Sequence, residues 1–114
     1  MTLLPTLREK RRYVYFEVVS EVKFKKAEIE GAIFDSIVNL FGEHGFSLMN
    51  PKLMDFDENE QIGVIKCARA EAQRVKASLA LVNKIGEMQA AIHVKGISGT
   101  LKKLRNKYLN VKDK

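Results

Sequence analysis

A chain of 114 residues and 13.0 kDa has room for one core, which excludes two independent domains, a long internal linker or a solenoid. Its 46% hydrophobic and 30% charged residues exclude disorder along the whole length, and no run approaches the roughly 20 apolar residues of a membrane span. The net charge of +6 sits at the two ends. Residues 1–12 hold Arg8, Lys10, Arg11 and Arg12 against Glu9, and residues 101–114 hold Lys102, Lys103, Arg105, Lys107, Lys112 and Lys114 against Asp113. Residues 13–100 hold ten basic and twelve acidic side chains. This pattern predicts a folded body with two basic grips for a polyanion; two solvated basic tails are the alternative. The charged start, with no apolar stretch after it, predicts a cytosolic protein. Cys67 stands alone, so an internal disulfide or a thiolate zinc cluster is out of reach, and a small apolar filler is the expected role.

In chain order, residues 1–12 read as a basic arm. Tyr13 to Ser20 is rich in aromatic and β-branched residues and alternates, so a strand is predicted with Val14, Phe16 and Val18 on one face and Tyr13, Tyr15 and Glu17 on the other. From Ala27 to about Glu43, Ile29, Ile33, Ile37, Leu40 and Phe41 recur at helical steps, with Phe34 and Val38 widening the stripe and Gly42 and Gly45 available to end it. Lys52 to Asp57 and Gln61 to Ala70 read as a hairpin around a polar turn. Glu71 to Ile85 returns to helical spacing through Val75, Leu79, Val82 and Ile85. Met88 to Lys95 alternates as a half-buried strand, and Ile97-Ser98-Gly99-Thr100 is expected to open a last helix over 101–109. Residues 110–114 form a basic tail.

The order βαββαβ plus a terminal helix, with right-handed crossovers, predicts a single α+β domain over 13–109. It is a four-stranded antiparallel sheet with two helices on one face, the ferredoxin-like or RNA-recognition type of plait. Such a plait leaves one face free, and RNA-recognition modules stack bases there on aromatics of the first and third strands. The third strand here, Gln61 to Ala70, has no aromatic residue, so that mode of stacking is not expected. Tyr13, Tyr15, His93 and Lys95 could still make a polar surface, partly covered by Leu101, Leu104 and Tyr108 of the last helix.

Asp55, Asp57, Glu58 and Glu60 offer oxygen ligands to a hard cation but fit a solvated turn better. His44 and His93 lack ligand-spaced partners, and neither a nucleophile elbow nor a glycine-rich phosphate loop is found. No protein active site is expected. The basic segments carry the functional signal. Ser98 and Thr100 would offer hydroxyl and N–H donors to phosphate at a helix start, with Lys102, Lys103 and Arg105 on its polar sides. Arg8, Lys10, Arg11 and Arg12 lead into the first strand beside Tyr13, and arginine's planar fork suits phosphate.

The block Leu4-Pro5-Thr6-Leu7-Arg8-Glu9-Lys10-Arg11-Arg12-Tyr13, followed by Phe16-Glu17, resembles the start of the archaeal ribonuclease P protein component 2 family. Ile97-Ser98-Gly99-Thr100-Leu101-Lys102 is similar to its late block, and the helix with Arg74, Val75 and Leu79 falls where that family has its second helix. The resemblance implies a noncatalytic subunit of a ribonucleoprotein that removes the 5′ leader of precursor tRNA. Its RNA performs the hydrolysis with magnesium, and the chain itself needs no cofactor. It also implies pairing with protein component 3, which leaves room for self-association within the assembly. On this reading Arg8, Lys10, Arg11, Arg12, Tyr13, Ser98, Thr100, Lys102, Lys103 and Arg105 contact RNA, while Phe34, Val38 and Leu81 offer apolar surface to a protein partner. A ligand-binding regulatory plait and a ribosome-associated structural protein are the other function classes the sequence allows.

Overall fold

In the computed structural model, which describes residues 10–99, the first strand β1 (Arg11–Val19) starts two residues before the aromatic run that predicts it. Arg11 and Arg12 pair with Ala68 and Cys67, so both belong to the sheet and not to a flanking arm. The predicted alternation holds: Val14, Phe16 and Val18 are buried against the helices, and Tyr13, Tyr15 and Glu17 face the other way.

Helix α1 (Lys26–Met49) opens at Lys25, whose side chain has no acceptor to offer; instead the Glu28 carboxylate accepts the Lys25 N–H at 2.9 Å. Ile29, Ile33 and Ile37 are fully buried. Leu40 is 44% exposed: the buried row continues from Ile37 through the half-buried Phe41, four residues on, and Leu40 lies off it. Gly42 interrupts the helix, as its place in the sequence predicts, but Gly45 does not. A second helical stretch carries the chain to Met49, closed by Asn50 in a left-handed conformation.

Strands β2 (Lys52–Asp57) and β3 (Ile62–Ala68) form the expected hairpin. A 3-10 turn over Arg69–Glu71 leads into α2 (Ala72–Ala80), which ends five residues earlier than the helical spacing predicts. Val82 and Ile85 are buried as expected, yet outside the helix: the turn formers Asn83 and Gly86 redirect the chain into a small ribbon, β4 (Lys84–Ile85) with β5 (Met88–Gln89). Met88 is exposed on this ribbon, and the final strand β6 (Ala91–Ser98) starts and ends three residues later than predicted. Lys95 is the extra residue of a bulge opposite Tyr15 and Phe16, which resets the alternation so that Ile92, Val94 and Ile97 all reach the core. Ser98 is therefore a strand residue, paired with Tyr13. The terminal helix expected over 101–109, and its covering of the sheet, lie outside the described residues.

The sheet order is β2-β3-β1-β6, antiparallel throughout, with α1 and α2 on one face. This is the predicted ferredoxin-like plait. The helices are tied to each other by the Ser36 hydroxyl donating to the Ser78 carbonyl at 2.8 Å and by Arg74 over the Phe41 ring at 5.5 Å. On the opposite face, Tyr15, Ile62 and Val64 form a second buried cluster bordered by Tyr13. The centre of that face is apolar, where Tyr13, Tyr15, His93 and Lys95 predict a polar surface. Cross-strand pairing places Tyr15 directly beside Val64, and Lys95 turns to Glu17, its Nζ 3.3 Å from the carboxylate. Among the described residues no helix is long and apolar enough to cross a membrane.

Candidate RNA interface at one end of the sheet

Antiparallel pairing brings the start of β1, the start of β2, the end of β3 and the end of β6 to one end of the sheet. Lys10, Arg11 and Arg12 arrive there from the first basic segment. Arg69 joins them, its N–H donating to the Lys10 carbonyl at 2.8 Å, and Lys66 stands beside Tyr13 in the register. Lys52, the register partner of Lys66, completes a set of six cations drawn from three strands and a turn. Among the described residues, Glu71 is the carboxylate nearest this group in sequence, and it is engaged by Arg74 at 3.5 Å.

The first basic segment meets Ser98 and Gly99, which lead toward the second, at this end. Tyr13 pairs with Ser98, and one residue further on the Arg12 guanidinium lies so close to Gly99 that a Cβ there would be 3.4 Å from Nη1. Arg12 is half-buried and donates to the Arg11 carbonyl at 3.1 Å, which steadies its fork at the rim. Its charge is also felt by the Cys67 thiol, which burial pushes up to about 11. That thiol is fully buried, consistent with an apolar filler.

Of the residues that sequence reasoning assigned to RNA, the structure brings together Lys10, Arg11, Arg12, Tyr13 and Ser98. Arg8, Thr100, Lys102, Lys103 and Arg105 lie outside the described residues. Lys52, Lys66 and Arg69 were missed, because each is a lone cation in a body whose net charge is slightly negative. Counting back from the turn at 58–61 along both strands sets Lys52 against Cys67; a bulge between Leu53 and Asp55 moves it opposite Lys66, so the sequence alone gave no signal for this pair.

The acidic turn is at the other end of the sheet, and its carboxylates are used locally. Asp57 accepts the N–H groups of Asn59 and Glu60 at 2.9 and 3.1 Å, and Glu58 accepts that of Lys26 at 3.0 Å. On the helical side, Val38 and Leu81 are exposed, as a docking role for them requires. Phe34 is not comparably free: its ring is half-buried, edge-on to Phe46 at 5.1 Å, because the Gly42 break folds the second helical stretch back toward it.

A family model described as the Rpp14/Pop5 family matches residues 12–109. The chain belongs to the Rpp14/Pop5 family. Within this family it is 45% identical over 109 residues to ribonuclease P protein component 2 of Pyrococcus furiosus, covering 96% of this chain and 91% of that one. It is 36% identical over 111 residues to ribonuclease P protein component 2 of Methanocaldococcus jannaschii, covering 97% and 81%. The Rpp14/Pop5 plait is also similar to a chain in the cryo-EM structure of yeast ribonuclease MRP. The TM-score is 0.66 at 9% identity, over 93% of this chain and 96% of that one, a likeness of fold. The matched span begins at Arg12 and includes Lys52, Lys66, Arg69 and Ser98, so most of the basic end lies within the Rpp14/Pop5 region.

Proposed function

We propose that the chain is a noncatalytic, RNA-binding protein subunit of ribonuclease P, which supports the RNA as it cleaves the 5′ leader from precursor tRNA. The observation that carries this reading is the gathering of cations from β1, β2 and β3 at one sheet end in a chain of this family. Folded RNA crowds phosphates together, and cations held on a rigid sheet edge neutralise them without the entropy cost of ordering mobile ions. The chain then lowers the magnesium concentration at which the catalytic RNA holds its active fold. Magnesium accompanies the RNA on this reading, since the carboxylates of the Asp57 turn already accept backbone N–H groups.

Lys10, Arg11, Arg12, Tyr13 and Ser98 belong to the RNA contact, together with Arg8, Thr100, Lys102, Lys103 and Arg105 by their sequence. The exposed Val38 and Leu81 are the proposed contact for protein component 3 or for a second copy of the chain, in a cytoplasmic assembly. The test is leader cleavage by a ribonuclease P RNA at limiting magnesium, with and without this chain plus component 3. Cleavage restored only when both proteins are present is the expected result. Failure to restore it, with both proteins folded and bound to each other, would overturn the reading.

A further inference from the structure

Lys52, Lys66, Tyr13 and Ser98 are successive register partners across all four strands of the sheet, so they share the face away from the helices. At about 4.8 Å per strand the row spans roughly 14 Å. Arg11 continues the same face two residues beyond Tyr13, and the nearest carboxylate along β2 on that side, Asp55, lies one row further in, opposite Val64. Lys52 is exposed and Lys66 and Tyr13 are half-buried. Like charges directly opposite on neighbouring strands destabilise a sheet, and neither lysine is in an ion pair among the described residues. An anion lying across the row removes that repulsion.

We propose that Lys52, Lys66 and Tyr13 form a track, on the face of the sheet away from α1 and α2, for a stretch of RNA phosphodiester backbone, continuous with the arginines at the start of β1. The proposal rests on the ribonuclease P reading for its RNA and adds a direction: the nucleic acid crosses the strands along this row, beside the buried row of Tyr15, Ile62 and Val64. Two ammonium groups and a phenol hydroxyl recognise phosphate oxygens, and the flanking cluster of Tyr15, Ile62 and Val64 is buried, which leaves no platform for bases. The contact is therefore indifferent to base sequence.

The test measures binding of the full chain, with component 3, to a ribonuclease P RNA over a range of KCl. Four proteins are compared: wild type, K52Q/K66Q, R11Q/R12Q, and a charge-matched control, K23Q/K25Q, at the exposed far end. K52Q/K66Q should flatten the slope of log Kd against log salt by about 1.4 to 1.8, two contacts' worth, with a melting temperature no lower than wild type, and the control should match wild type. The single variant K52Q, at an exposed position, should lose about half as much. A wild-type slope in K52Q/K66Q, with R11Q/R12Q flattened, overturns the track and leaves the RNA reading standing. Equal flattening in the control overturns it as a general charge effect. Loss of component 3 binding with the RNA slope intact assigns the row to protein instead. Salt-insensitive binding by wild type would sink the RNA reading itself.

Discussion

Gly63 is the position where β3 cannot carry a side chain. A Cβ there would come within 2.6 Å of Phe16 Cζ, 2.9 Å of Phe56 Cδ1 and 3.0 Å of the Asp55 carbonyl oxygen, in the space beneath two rings stacked at 6.3 Å. Gly63→Ala should cost about 1 to 3 kcal/mol of stability in urea unfolding, through overpacking; a change below about 0.5 kcal/mol would refute the close approach. Cys67 makes a pH prediction. Burial raises its pKa from 9.0 to about 11, Arg12 opposes the rise and Glu71 adds to it. The unfolded thiol ionises first as pH rises, so the stability tied to the neutral buried thiol is whole below pH 9. It is lost between pH 9 and 11, by roughly 3 kcal/mol. Wild type should thus lose more stability than Cys67→Ala over that interval, and parallel pH curves would contradict it.

At the scale of elements, two connections decide how the plait closes. Gln61, in a left-handed conformation and only 7% exposed, joins the β2–β3 turn to the loop before α1. Its side-chain carbonyl accepts the Phe24 N–H at 3.0 Å, and its amide donates to the carbonyls of Phe24 at 2.9 Å and Glu58 at 2.7 Å. Gln61→Ala strands those buried backbone groups and should cost about 1 to 3 kcal/mol, whereas a neutral result by thermal melting would show that water replaces the side chain. Gly42, with φ 73° and ψ 177°, occupies a region that only glycine enters readily, and no atom lies within 4 Å of where its Cβ would be. Gly42→Ala should therefore destabilise by about 1 to 3 kcal/mol through backbone conformation alone. The break was legible because glycine interrupts a clear stripe; the clamp was not. A polar residue beside a turn gives no sign in sequence of which distant backbone it will reach.

At the scale of the whole molecule, six described cations share one end of a rigid sheet. If Lys10, Arg11, Arg12, Lys52, Lys66 and Arg69 each neutralise a phosphate, the wild-type slope of log Kd against log salt should be about +4 to +5 from these residues alone. A slope below about +2 would mean that they do not act together. Charge counted along the chain pointed to the two termini, and of these Arg11 and Arg12 stand at one sheet end, with Ser98 beside them. The contribution of Lys52, Lys66 and Arg69 depends on register, which converts positions 14 and more residues apart into neighbours.

Apolar periodicity and turn residues by themselves determined the order of the four sheet strands and the two helices, the sheet's inward face and the absence of an aromatic platform on β3. These are local properties, each set by a few neighbouring side chains. Only the tertiary structure decided that α2 stops at Ala80, that a bulge at Lys95 returns Ile97 to the core, that Phe34 is taken up by Phe46, and that scattered lysines join the arginines of β1. Each of those outcomes depends on which strand lies beside which, and pairing between distant segments is settled by burial of the whole core.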